Sequence, residues 1–151
     1  MAANPPFSFA LDTERRLAEA AADFYDDPYG FVMAAYPWGE PTLPDGSFNP
    51  LAKKKGPEPW QKKLLQAIGD HIRENVQGKA MGFDYNVWRS AIASGHGIGK
   101  SAMVAWLIQF FMATRRDCRG AVTANTATQL ETRTWPELAR WHKLFMFRHW
   151  F

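Results

Sequence analysis

The sequence predicts an α/β fold, a parallel sheet flanked by helices, incomplete and with a helical cap at its N-terminal end. Three observations predict it. Residues 85–93 (YNVWRSAIA) form a strand-like run that ends in small and apolar side chains. A glycine-rich octapeptide follows it directly, and a strongly apolar, helix-like run at 102–113 follows that. A second strand-like run at 119–124 (RGAVTA) would then lie parallel to the first through a right-handed helical crossover.

The octapeptide is Ser94-Gly95-His96-Gly97-Ile98-Gly99-Lys100-Ser101. Strand, glycine-rich turn and helix N-terminus make the layout of a phosphate-binding loop. Glycines let backbone N–H groups converge on phosphate oxygens, because φ > 0 costs them little and no Cβ blocks the approach. The helix N-terminus adds unpaired donors and a partial positive charge. Gly95, His96, Gly97, Ile98, Gly99, Lys100 and Ser101 are therefore the candidate ATP-binding residues. Lys100 is the candidate catalytic cation, reaching the β- and γ-phosphates, and the Ser101 hydroxyl is the candidate Mg²⁺ ligand. The first place of the usual pattern holds Ser94 rather than Gly. The alternative is a glycine-rich turn that binds nothing.

The 151 residues suffice for one domain. Hydrophobic content of 46% and aromatic content of 15% permit a sizeable core. The net charge of +3 suits a nucleotide or nucleic-acid partner without demanding one. The single Cys118 excludes an internal disulfide and fits a reducing compartment. Residues 1–9 read as a tail without a secretory signal, and the apolar run at 102–112 is shorter than the ~20 residues a bilayer span needs.

Taken in order, Asp12 or Thr13 caps a helix carrying Leu17, Ala20, Ala21 and Phe24, and Asp26-Asp27-Pro28 breaks it. Residues 28–36 form a second short helix with Phe31, Val32 and Ala35 inward. Residues 37–57, with five prolines and three glycines, form a long loop ending near Lys53-Lys54-Lys55. Those lysines are either a solvated turn or a contact to a polyanion. Pro59 opens a helix whose stripe is Trp60, Leu64, Ile68 and Ile72, widened by Leu65 and Ala67, ending near Gly78. Taken alone, Trp60 fits a core anchor and Gln61 a surface residue, yet an indole can stack on a base and a carboxamide can pair with an adenine edge. After the second strand, the Thr126–Gln129 spacing is that of a capping box, so helices are expected over 127–133 and 135–147 with a kink between them. Leu138, Trp141, Leu144 and Phe145 form the last stripe. His71, His142 and His149 show no metal-ligand spacing.

Hydrolysis needs an apolar strand ending in Asp, often followed by Glu, to orient Mg²⁺ and activate water. After the second strand the only acids are Glu131 and Glu137, both in expected helices. The sequence thus predicts ATP binding without hydrolysis by this chain. It divides the chain at 57: a helical cap and Pro/Gly-rich loop over 1–57, and the front part of an ATPase core over 58–151. The apolar runs at 102–112 and 146–151 predict self-association.

The motif order is Asp27-Pro28-Tyr29-Gly30-Phe31-Val32, Tyr36-Pro37-Trp38-Gly39, Pro59-Trp60-Gln61, the octapeptide, then Thr123-Ala124-Asn125-Thr126 with Gln129. It resembles the N-terminal ATPase part of the large terminase subunit of tailed bacteriophages and prophages, over about 27–144. The resemblance implies a P-loop NTPase that drives double-stranded DNA through a portal protein into a procapsid, working with a small terminase subunit as an oligomer in the cytoplasm of a bacterial host. It implies that Trp60 and Gln61 form the adenine-binding motif, that 95–101 form the Walker A loop, and that 123–129 couple nucleotide state to DNA. His96 stands where some relatives carry an arginine, so a built-in arginine finger does not follow. Two other readings stay open: a non-catalytic interaction module, and a different P-loop ATPase of helicase-like kind.

Overall fold

Prolines and side-chain caps set most of the helix starts. The computed structural model describes residues 7–93, 95 and 97–150. Helix α1 spans Phe7–Ala22, starting earlier than its expected cap at Asp12 or Thr13. Helix α2 spans Pro28–Ala35, with Pro28 in its first turn and the Asp27 carboxylate accepting from the Gly30 N–H at 2.9 Å. A Cβ on residue 30 would lie 2.2 Å from Asp27 Oδ2, so the cap closes only over a glycine. Helix α3 spans Pro59–Ala80 and opens with a Glu58–Gln61 capping box. Helix α4 spans Lys100–Thr114.

Thr126 accepts from the Gln129 N–H and starts the short α5, Ala127–Gln129. A π-helical turn, Leu130–Thr134, joins it to α6, Trp135–Leu144. Pro136 lacks an N–H, and the widened turn accommodates that missing donor where a kink was expected.

One hydrophobic core draws on both sides of position 57. Phe31 and Val32 of α2, Leu51, Leu65 of α3, Trp106 and Phe110 of α4, Trp141 of α6, and Phe145 and Phe147 beyond it are all buried. Phe31 sits at its centre, edge-on to Phe110 at 5.3 Å and stacked with Phe147 at 6.2 Å between ring centroids. Of the expected apolar run at 146–151, Phe147 joins the core and stacks on the half-buried Trp150, whose Nε1 donates to Glu14, while Met146 is exposed. The buried face of α3 holds Leu65 and Ile68 of the expected stripe together with Gln61 and Gly69, which were not expected there, while Trp60, Leu64 and Ile72 are partly buried.

The expected parallel α/β sheet of a P-loop NTPase is overturned. The structure is 56% helical and contains no strand among the described residues. The one bridge is an isolated antiparallel pair, Thr42 with Phe48, inside the 37–57 loop. The segments expected as strands, 85–93 and 119–124, have irregular, mostly exposed backbone. They flank the same ridge of α4, Val104, Leu107 and Phe111, without pairing. Side chains of α3 occupy the first segment. Asn75 donates from Nδ2 to the Asn86 carbonyl and accepts from the Asn86 N–H, both at 2.8 Å. His71 also contacts the Asn86 carbonyl, and its ring lies 5.3 Å from that of Trp88. A side-chain amide takes the place that a neighbouring strand would take. No helix among the described residues is long and apolar enough to cross a membrane.

Candidate functional site

The start of α4 and the start of α3 meet at the glycine-rich loop. Gly97 and Gly99 have φ of 81° and 89°, the left-handed region that favours glycine. Gly99 is the N-cap of α4. Its carbonyl accepts from Gln61 Nε2 at 2.9 Å, and the Ile98 carbonyl accepts from Trp60 Nε1 at 3.3 Å. Gln61 Oε1 accepts in turn from the Glu58 N–H at 2.8 Å. A buried carboxamide therefore fastens two helix starts together, keeping one N–H and one lone pair for other partners.

These contacts border a cavity of about 480 Å³. Trp60, Gln61, Gly97, Ile98 and Gly99 line it, together with Trp38, Lys54, Gly56, Glu58, Pro59, Ala102, Trp106 and Trp141. Its size suits a small organic ligand. Trp38 and Trp141 satisfy their indole N–H groups on the Val32 carbonyl and on Glu137. Trp106 is buried, and its Nε1 has no partner among the described residues.

The expected site residues divide into three sets. Trp60, Gln61, Gly97, Ile98 and Gly99 share one cavity wall. Lys100 and Ser101 occupy the first turn of α4. Lys100 Nζ donates to the Gly95 carbonyl at 2.6 Å, closing the loop on itself, and Lys100 borders a neighbouring groove with Ser90 and Ile92 rather than the cavity. Ser101 is exposed. His96, with Ser94, lies outside the described residues.

Sequence reasoning placed Gln61 on the surface when taken alone, whereas the fold buries it. It did not assign Lys54, Trp106 or Trp141 to the site. The lysine run was the one signal for Lys54; the tryptophans carried none beyond core spacing. Residues 123–129 do not line the cavity; Thr123 borders an apolar groove formed with α4 and α6.

Beneath the tryptophans lies a buried polar pair. The Tyr36 hydroxyl donates to Gln109 Oε1, and burial pushes the Tyr36 pKa well above the ordinary tyrosine value. Gln109 Nε2 has no partner among the described residues. Among the described residues no group of three or more His, Cys, Asp or Glu could hold a metal ion. The Ser101 hydroxyl alone is a weak claim on Mg²⁺, which binds through phosphates, waters and one or two carboxylates. Compared with protein-family models, curated proteins and solved structures, the chain has no match.

Proposed function

We propose that the chain binds a nucleoside triphosphate, ATP, at the cavity between the starts of α3 and α4. One observation carries the reading: Trp60 and Gln61 hydrogen-bond to Ile98 and Gly99, 38 residues away, and all four line one cavity. Two motifs singled out separately in the sequence share one wall. The indole of Trp60 offers a stacking face for the base. Backbone N–H groups at the α4 N-terminus offer donors for the phosphates, in a loop whose shape Lys100 holds by closing it on Gly95. Mg²⁺ would arrive with the nucleotide, with Ser101 as its protein ligand; when bound it would neutralise phosphate charge. The chain carries no assigned Walker B acid, so the proposed activity is binding without turnover.

The resemblance places this binding unit in a DNA-packaging motor of the terminase class, acting on double-stranded DNA with a portal protein and a small terminase subunit in a bacterial host's cytoplasm. That assignment rests on the motif order, not on the fold. The interaction-module reading is favoured by a different observation: an open apolar groove of about 990 Å³ along Val104, Ile108, Met112 and Trp135.

Titration with a fluorescent ATP analogue and Mg²⁺ tests the proposal. Wild-type protein should bind and Lys100→Ala should not. Binding that persists in Lys100→Ala removes the loop's role. Phosphate release above background removes the claim of binding without turnover.

A further inference from the structure

The run Lys53-Lys54-Lys55 is consecutive in sequence, yet the fold sends its members to different places. Lys54 lines the cavity bordered by Trp60 and Gly99. Lys55 lines a separate groove with Asp45 and Arg148, and Lys53 lines neither. Lys100 borders the groove beneath 86–92 instead. Among the described residues the cationic residue lining the cavity is therefore Lys54, which is solvent-exposed.

Its position is built rather than incidental. Asn49 is fully buried, and its Nδ2 donates to the Pro37 and Glu40 carbonyls at 2.6 and 2.7 Å. Its Oδ1 accepts from the Leu51 N–H at 2.9 Å. The Leu51 carbonyl then accepts from the Gly39 and Lys54 N–H groups at 3.1 and 2.9 Å. Leu51 itself is in the core. One buried carboxamide thus ties both arms of the 37–57 loop together and fixes the backbone that carries Lys54. No carboxylate among the described residues forms an ion pair with Lys54. Glu58, the one carboxylate in the wall, belongs to the α3 capping box. The same wall holds Trp106, a buried donor without an acceptor among the described residues.

We infer that Lys54 is a second cation of this site, delivered by the clamped loop, that neutralises the anionic end of a nucleoside polyphosphate. The inference rests on the nucleotide-binding reading above and adds a residue outside the phosphate-loop motif. Lys100 holds Gly95 and shapes the loop, while Lys54 supplies charge from the cavity wall.

The test is competition of MgATP and of inorganic tripolyphosphate against a fluorescent ATP analogue on the full chain. Lys54→Gln should weaken both competitors by about three- to tenfold, and Lys54→Arg should restore both. The neighbouring Lys53→Gln should change either by less than about twofold. A folded Lys54→Gln that binds both competitors like wild type overturns the inference and leaves the nucleotide reading standing. Equal losses in Lys53→Gln and Lys54→Gln also overturn it, since they would report diffuse charge. Wild-type protein that fails to bind the analogue overturns the nucleotide reading itself, and that result is seen before any variant is made.

Discussion

Gln61 Nε2 donates to the Gly99 carbonyl at 2.9 Å, joining the first turn of one helix to the residue that starts another. Neither end of that carboxamide faces bulk water, and Gln61 is only 2% exposed. Gln61→Ala strands the Glu58 N–H and removes one of two donors from the Gly99 carbonyl, which keeps the Met103 N–H. It should cost about 1–3 kcal/mol in urea unfolding. It should also weaken ATP-analogue binding by more than its stability loss explains at low urea. Stability equal to wild type would show that water replaces the bracket without penalty.

Gly99→Ala is strained twice. The residue has φ of 89°, and a new Cβ would lie 2.7 Å from Gln61 Nε2. The backbone alone should cost about 1–2 kcal/mol, and displacement of Gln61 adds to it. Gly120→Ala meets nothing within 4 Å and serves as the comparison, with an expected change inside about 0.5 kcal/mol. Equal melting temperatures for the two variants would contradict the loop geometry.

The Tyr36–Gln109 pair predicts both a coupling and a pH effect. Tyr36→Phe and Gln109→Leu should each cost about 1–3 kcal/mol, and the double variant less than their sum, because no polar group is then stranded. Tyr36 has a folded pKa above its unfolded one, so the folded state keeps its proton where the unfolded chain has lost it. Its contribution is fully present below the unfolded tyrosine pKa of about 10 and is lost as pH rises beyond it. Urea titrations at rising alkaline pH should show stability falling, with a shallower fall in Tyr36→Phe. Identical slopes would place the alkaline sensitivity elsewhere.

Asn75 pins the extended segment through two hydrogen bonds to Asn86. Asn75→Ala should speed exchange of the Asn86 amide by about tenfold while leaving the core amides of α4 slow. Unchanged exchange at Asn86 would mean that the packing of Trp88 against His71 holds the segment unaided.

Three helix starts were legible because their causes are local, whereas α1, expected to start at Asp12 or Thr13, begins at Phe7. Pro28, Pro59 and Thr126 each mark an end that a few neighbouring residues determine. The α3 stripe was misjudged at Gln61, since apolar spacing does not register a carboxamide whose two ends are both satisfied inside the protein. The strands failed for a similar reason. Tyr85, Val87, Trp88 and Ile92 have strand-like character, but a strand exists only through its partner, and that requirement is tertiary. Here the partner groups are side chains of α3, which no period-2 pattern encodes.

The candidate site was legible in its backbone and opaque in its walls. Gly97, Gly99, Trp60 and Gln61 announced themselves by motif. Trp106 and Trp141 looked like ordinary core positions, and they are also buried. Their place beside the loop depends on how α4 and α6 pack, which sequence spacing leaves free.

Trp106 and Trp141 lie 4.8 Å apart between ring centroids at 83°, with Trp38 5.8 Å from each. Three indoles this close have coupled transition dipoles, so the protein carries its own optical gauge. Near-ultraviolet circular dichroism from this trio reports whether the side chains are locked, independently of helix content, and vanishes in any state that keeps its helices but loses fixed packing. Because the same rings wall the cavity, filling that space changes the colour and intensity of the protein's own emission, and occupancy can be followed without a label.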